Sequence, residues 1–136
     1  MKRRLIYEYN SLEHELEKLV LIESIISKFR QFEINDLLND LIFVLCNDNN
    51  CVIRHEAAFT IGQLSLSENI ENLINVNTLI KQLEIEKSTV VKHEILESLG
   101  FLKSEVSREC LYFYQSSIDI DLSDTARVSL ERSLLL

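Results

Sequence analysis

Apolar residues recur at helical spacing along most of the chain. Leu12, Leu16, Leu19, Val20, Ile22, Ile25, Ile26 and Phe29 fall on one helical face and predict a helix within 12–32. After a break at Glu33 to Asp36, the positions Leu37, Leu38, Leu41, Ile42, Val44 and Leu45 predict a second helix, stopped by Asn47-Asp48-Asn49-Asn50. The pattern then predicts helices over 52–64, closing near Gly62, and over 73–83, 90–102, 107–114 and 121–135. Ser65, Ser67 and Glu68 read as a connection with a helix-start signal. With no strand signal between them, helices joined by short turns describe a bundle or a solenoid of helix pairs.

Internal repetition decides between these two. VIRHEAAFTIGQL (52–64) and VVKHEILESLGFL (90–102) align without a gap and agree at Val, His, Glu, Gly and the final Leu. LSDTARVSLE (122–131) keeps the apolar spacing but carries Asp124-Thr125 in place of His-Glu. The copies are offset by 38 and 31 residues, as in two-helix repeats. The expected fold is therefore all-α, an α-solenoid in which 52–64, 90–102 and 122–131 are inner helices, with 37–45, 73–83 and 107–114 as their outer partners. Its expected organisation is one domain over 1–136: an N-terminal helix in 1–32 and helix-pair repeats at 33–66, 67–104 and 105–136.

Composition agrees with that layout and removes several functions. The 136 residues contain no Pro and 2 Gly, against the Gly- and Pro-rich turns of an all-β chain, and 46% of them are apolar, enough for one core. A formal charge of -8 opposes broad contact with phosphate backbones, so nucleic acid is not an expected partner. The basic run Lys2-Arg3-Arg4 is too short for a signal peptide's charged region, and no long apolar stretch follows it. A soluble, cytoplasmic protein without a membrane segment is expected. Cys46, Cys51 and Cys110 show no CxxC spacing and are read as reduced thiols, with burial the simple explanation for Cys46 and Cys110. No Ser-His-Asp set, nucleotide-binding loop or paired thiol supports a hydrolase, kinase-type or thiol-redox activity.

The candidate chemistry lies in the duplicated pairs His55-Glu56 and His93-Glu94. Each is expected in the first turn of its helix, where the aligned peptide dipoles disfavour an imidazolium and leave the neutral ligand form. Stacked repeats would place His55 and His93 on neighbouring helices about 10 Å apart, with side chains able to converge. Two imidazoles and one or two carboxylates make a 2-His-1-carboxylate set suited to iron, though the same donors accept manganese or zinc. The simpler alternative is that Glu only stabilises the start of each helix and that duplication copied a surface dipeptide. His14-Glu15 offers a comparison, being expected mid-helix on a solvated face.

RHEAAFTIGQL and KHEILESLGFL resemble HEAT-type repeats of the short class shared by phycobilisome lyase-like proteins and deoxyhypusine hydroxylase, the latter resemblance being the closer, from about Leu21 to the C-terminus. It implies a right-handed superhelix of helix pairs equivalent to one half of an enzyme whose halves each bring two His-Glu motifs to a di-iron centre. By that resemblance His55, Glu56 and His93 would be iron ligands and Glu94 a ligand or the group that meets a substrate ammonium. A homodimer would restore four motifs and two irons, with oxygen-dependent hydroxylase-like chemistry and a protein substrate or partner on the concave face. A metal-free protein-interaction module is the competing expectation.

Overall fold

The computed structural model describes residues 2–70 and 73–135; Met1, Glu71, Asn72 and Leu136 lie outside the described residues. The described chain is all-α, with α1 (Leu5–Ser11), α2 (Glu15–Lys28), α3 (Ile34–Asn47), α4 (Cys51–Ser67), α5 (Val76–Ile85), α6 (Thr89–Leu102), α7 (Glu105–Tyr114) and α8 (Ile120–Leu135). Among the described residues no helix is long and apolar enough to cross a membrane.

Local chemistry explains most of the boundaries. Glu33 caps α3 by accepting from the Asn35 and Asp36 amides, Asn50 caps α4 through Val52 N–H, and Ser88 caps α6 through Val91 N–H. Ser104 and Ser107 form a reciprocal capping box that starts α7 two residues before the expected position. The expected helix over 12–32 is shorter: α2 begins at Glu15, and Phe29–Gln31 tighten into a 3-10 turn. His14 is thus the residue preceding α2, not a mid-helix position, and both His14 and Glu15 are exposed. Gly62 does not close its helix. α4 runs on to Ser67, with Ser65 and Ser67 hydroxyls donating to the carbonyls of Ile61 and Gln63 instead of opening a connection. At the expected fourth helix, Leu73 and Ile74 form a turn on Ile70 and α5 starts at Val76.

α1 was not expected. Leu5 and Tyr9, four residues apart, are its buried anchors. It is tied to α3 by Asp40, which accepts from Arg4 and from the Ile6 amide, while the Tyr9 hydroxyl donates to Asp48. The chain before it pairs in parallel with the end of the 3-10 turn, Arg3 N–H donating to Gln31 O at 2.9 Å.

The core is continuous through the described elements. Ile22 and Ile25 of α2, Leu37, Leu38, Leu41, Val44 and Leu45 of α3, Ile53, Ala57, Ile61 and Leu64 of α4, and Val91, Ile95, Leu96, Leu99 and Leu102 of α6 are fully or almost fully buried. α4 packs on α2 and α6, and α6 on α8; α3, α5 and α7 lie against α4, α6 and α8. Both glycines sit where two helices approach closely. A Cβ at Gly62 would stand 2.9 Å from Ser98 Oγ, and one at Gly100 would stand 2.8 Å from Ser129 O. Ser98 Oγ donates to Ala58 O across the first crossing at 2.8 Å.

Candidate functional site

α4 and α6 carry the duplicated pairs, and the caps at Asn50 and Ser88 set their depth in each helix. Because the helices start at Cys51 and Thr89, His55 and His93 are fifth residues rather than members of the first turn. The end-of-helix field is confined to that first turn, so the dipole argument for a neutral imidazole does not apply to them.

The close Gly62–Ser98 and Gly100–Ser129 crossings fix the register between helices, and the histidines follow it. His55 Nε2 on α4 lies 3.3 Å from Glu94 Oε1 on α6. His93 Nδ1 on α6 lies 2.8 Å from Thr125 Oγ1 on α8. Thr125 holds the position of Glu in the third sequence copy, so each histidine meets the residue that stands for Glu in the following helix. His93 Nε2 also lies 3.2 Å from Glu97 Oε1, one turn along its own helix.

The four expected ligands do not meet at one point. Among the described residues, the set of three donors whose ligand atoms all lie within 4.8 Å of one another is His93, Glu94 and Glu97. His55 adjoins this set through Glu94, and Glu56 stands outside it. Glu97 and Thr125 were absent from the expected site. Glu97 had a local signal, since a His and a Glu four residues apart share a helix face.

The electrostatics of this face are those of crowded, partly desolvated carboxyls. Burial, then the charge of Glu97, pushes the Glu94 carboxyl above its ordinary value, against the lowering influence of His55 and His93. Burial, then Glu23 on α2, pushes Glu56 up as well. A cation placed among these groups would relieve both desolvation and like-charge repulsion. The side chain of Glu94 is 11% exposed, whereas those of His93 and Glu97 are 43% and 32% exposed, so the set opens to solvent on one side. Beside His93, a cavity of about 430 Å³ lies between the starts of α6 and α8, lined by Val90, Asp121, Asp124 and Thr125 among others.

The hydroxyl of Thr125 donates to Asp121 O at 2.8 Å. Its oxygen can therefore accept from His93 Nδ1–H, and His93 Nε2 lies on the side of Glu97. One imidazole nitrogen with two carboxylates is an oxygen- and nitrogen-rich donor set for manganese, iron or zinc, with no sulfur. No known family model matches this chain, and no curated protein matches it.

Proposed function

We propose that this chain is a HEAT-like α-solenoid whose His-Glu face binds a divalent transition metal, iron where iron is supplied, and that two copies associate around such sites. The supporting observation is the disposition of His93. Its Nδ1 lies 2.8 Å from Thr125 Oγ1 and its Nε2 3.2 Å from Glu97 Oε1, and one ligand atom each of His93, Glu94 and Glu97 lies within 4.8 Å of the others. A metal-bound imidazole characteristically donates its other N–H to a neighbouring oxygen in this way. Three donors from one chain leave coordination positions open, and His55, already against Glu94, is the next nearest imidazole. Ferrous iron held by these residues would supply oxygen activation, and the reaction class of this reading is a hydroxylase-like oxidation in which O2 and an external two-electron reductant give the hydroxylated product and water. The recurrence of the His-to-next-helix contact and of the Gly–Ser crossing at two successive junctions supports the repeat architecture.

Metal titration of the purified protein under anaerobic ferrous iron, and separately with manganese and zinc, tests this reading, with stoichiometry from elemental analysis and mass from light scattering. The expected result is one ion per chain and two per dimer, lost in His93→Ala and in Glu97→Gln, weakened in His55→Ala, and retained in Glu56→Gln. Failure to bind any of the three metals, or undiminished binding by His93→Ala, would overturn it.

A metal-free interaction module is the second reading. The observation in its favour is that both imidazoles already have carboxylate partners, His55 with Glu94 and His93 with Glu97, so the face is satisfied without an ion. Retention of a protein partner in chelator, with no metal in the complex, would favour it.

A further inference from the structure

Away from the His-Glu face, α5 and α7 lie side by side and enclose a groove of about 520 Å³ lined by Ile80, Glu84, Glu109, Cys110, Phe113 and Tyr114. Its floor is Ile80, Cys110 and Tyr114, all half-buried and packed on the core. Phe113 forms one wall with 74% of its surface exposed, and its ring meets Tyr114 edge-on at 5.4 Å between centroids. The spacing that builds the groove is helical: Ile80 and Glu84 are one turn apart on α5, as are Glu109 and Phe113, and Cys110 and Tyr114, on α7. Exposed Tyr112 continues the aromatic surface beyond the rim.

The charge at this groove has one sign. Glu84 and Glu109 are both exposed, and neither has an ion-pair partner among the described residues. No Lys or Arg lines the groove. The field of Glu84 reaches the floor, where it adds to burial in raising the Cys110 thiol and the Tyr114 hydroxyl. An apolar trough with an accessible aromatic wall and two unpaired carboxylates is complementary to a side chain that buries carbon while its neighbours bring positive charge.

We propose that the α5–α7 groove docks a peptide segment of another protein that carries an apolar anchor flanked by Lys or Arg. The anchor fills the space over Ile80 and Cys110 against the Phe113 ring, and the basic residues approach Glu84 and Glu109. A hydrophobic floor supplies the affinity. The carboxylates select basic over acidic segments and make association salt-dependent. The cavity volume lies within the range that accommodates one or two large side chains, rather than a whole helix face.

Selection from a display library of random 12-residue peptides on the full chain tests this, followed by fluorescence anisotropy of the synthesised, labelled winners. They would be measured against the unaltered protein, Phe113→Ser and Glu84→Gln/Glu109→Gln. All three positions are exposed, so the variants should fold, and a urea midpoint for each verifies that. The expected winners carry a large apolar residue with Lys or Arg within a few positions. Their affinity falls at least about tenfold in Phe113→Ser, several-fold in the double carboxamide variant, and several-fold on raising salt from about 50 to about 500 mM. Failure to enrich any peptide, winners without basic residues, or affinity unchanged by Phe113→Ser would overturn the proposal.

Discussion

Gly100→Ala separates intrinsic helix preference from the packing that brings α6 onto α8. In an unpacked helix the substitution would stabilise by about 1 kcal/mol, because alanine loses less backbone freedom than glycine. Here the new Cβ would stand 2.8 Å from Ser129 O, 2.9 Å from Ser129 Cβ and 3.2 Å from Ser129 C. Two of these three atoms belong to backbone, and Ser129 is 1% exposed within α8, so relief requires moving one helix relative to the other. Forcing a methyl into such a crossing costs about 1–3 kcal/mol. Subtracting the helix gain leaves about 0–2 kcal/mol, and because the backbone contacts at Ser129 cannot rotate away the loss should lie in the upper half of that range, about 1–2 kcal/mol or about 0.5–1 M in the urea midpoint at an ordinary slope.

Gly62→Ala provides the internal control. Its Cβ meets Ser98 Oγ at 2.9 Å, but Phe101 Cδ2 and Ser98 Cα only at 3.4 and 3.6 Å. The Ser98 hydroxyl can rotate away at the cost of its bond to Ala58 O, about 1 kcal/mol, which roughly offsets the helix gain. Gly62→Ala should therefore be close to neutral, and in a Ser98→Ala background it should stabilise by about 1 kcal/mol. Urea unfolding followed by far-ultraviolet circular dichroism reads the parent, the three single variants and the Gly62→Ala/Ser98→Ala double variant. A Gly100→Ala protein as stable as the parent, or less destabilised than Gly62→Ala, would refute the close crossing at Ser129.

Two further perturbations follow from buried polar groups. Arg54 binds Glu86 through two nitrogens, at 3.0 and 2.9 Å, and Glu86 also accepts from Gln82 and from the Ser88 amide, so Arg54→Ala should cost about 3–5 kcal/mol by stranding a buried carboxylate. Burial alone would raise the Glu86 carboxyl, but these donors outweigh it and hold it below its ordinary value. Its stabilising contribution is thus complete above the unfolded value, about 4.3, and disappears as pH falls through the lower folded value. Glu86→Gln should flatten the acid limb of stability between about pH 5 and pH 2, and an acid limb as steep as the parent's would contradict the assignment. Among the thiols, burial and then Glu84 push Cys110 up to about 11, and burial raises Cys46, while Cys51 is exposed. Iodoacetamide at about pH 8 should therefore label Cys51 first and Cys110 at least about tenfold more slowly by peptide mass analysis, and equal rates would count against the burial of Cys110.

The helices that were legible in the sequence are those whose own residues decide them. Of the run Leu37, Leu38, Leu41, Ile42, Val44 and Leu45, all are buried except Ile42, which is half-buried against the core, and α6 and α8 lie within a residue of the expected limits. α1 was not legible because its 7 residues are too few to show a helical repeat, and it is held by partners more than 30 residues away, Asp40 and Asp48. Gly62 misled for a related reason. Glycine often ends a helix, yet this one stays within α4 and makes room for Ser98 on α6, a requirement that only the tertiary arrangement reveals.

The candidate site divides along the same line. Duplication marked His55, Glu56, His93 and Glu94 as equivalent pairs, but a repeat in sequence does not state which position of one helix faces which position of the next. In the structure each His faces the Glu position of the helix that follows, so a pair is completed by its neighbours and not by itself. α4 has Glu23 rather than a histidine on its α2 side, so burial and then the like charge of Glu23 raise Glu56, with no pairing to offset them from that side. α8 carries Thr125 in the Glu position and so offers His93 a hydroxyl. Only α6 has a histidine before it and a second acid, Glu97, one turn along its own face. The donors gather on α6 for that reason, and a His-Glu pair on either flanking helix would not reproduce the cluster without the same neighbours.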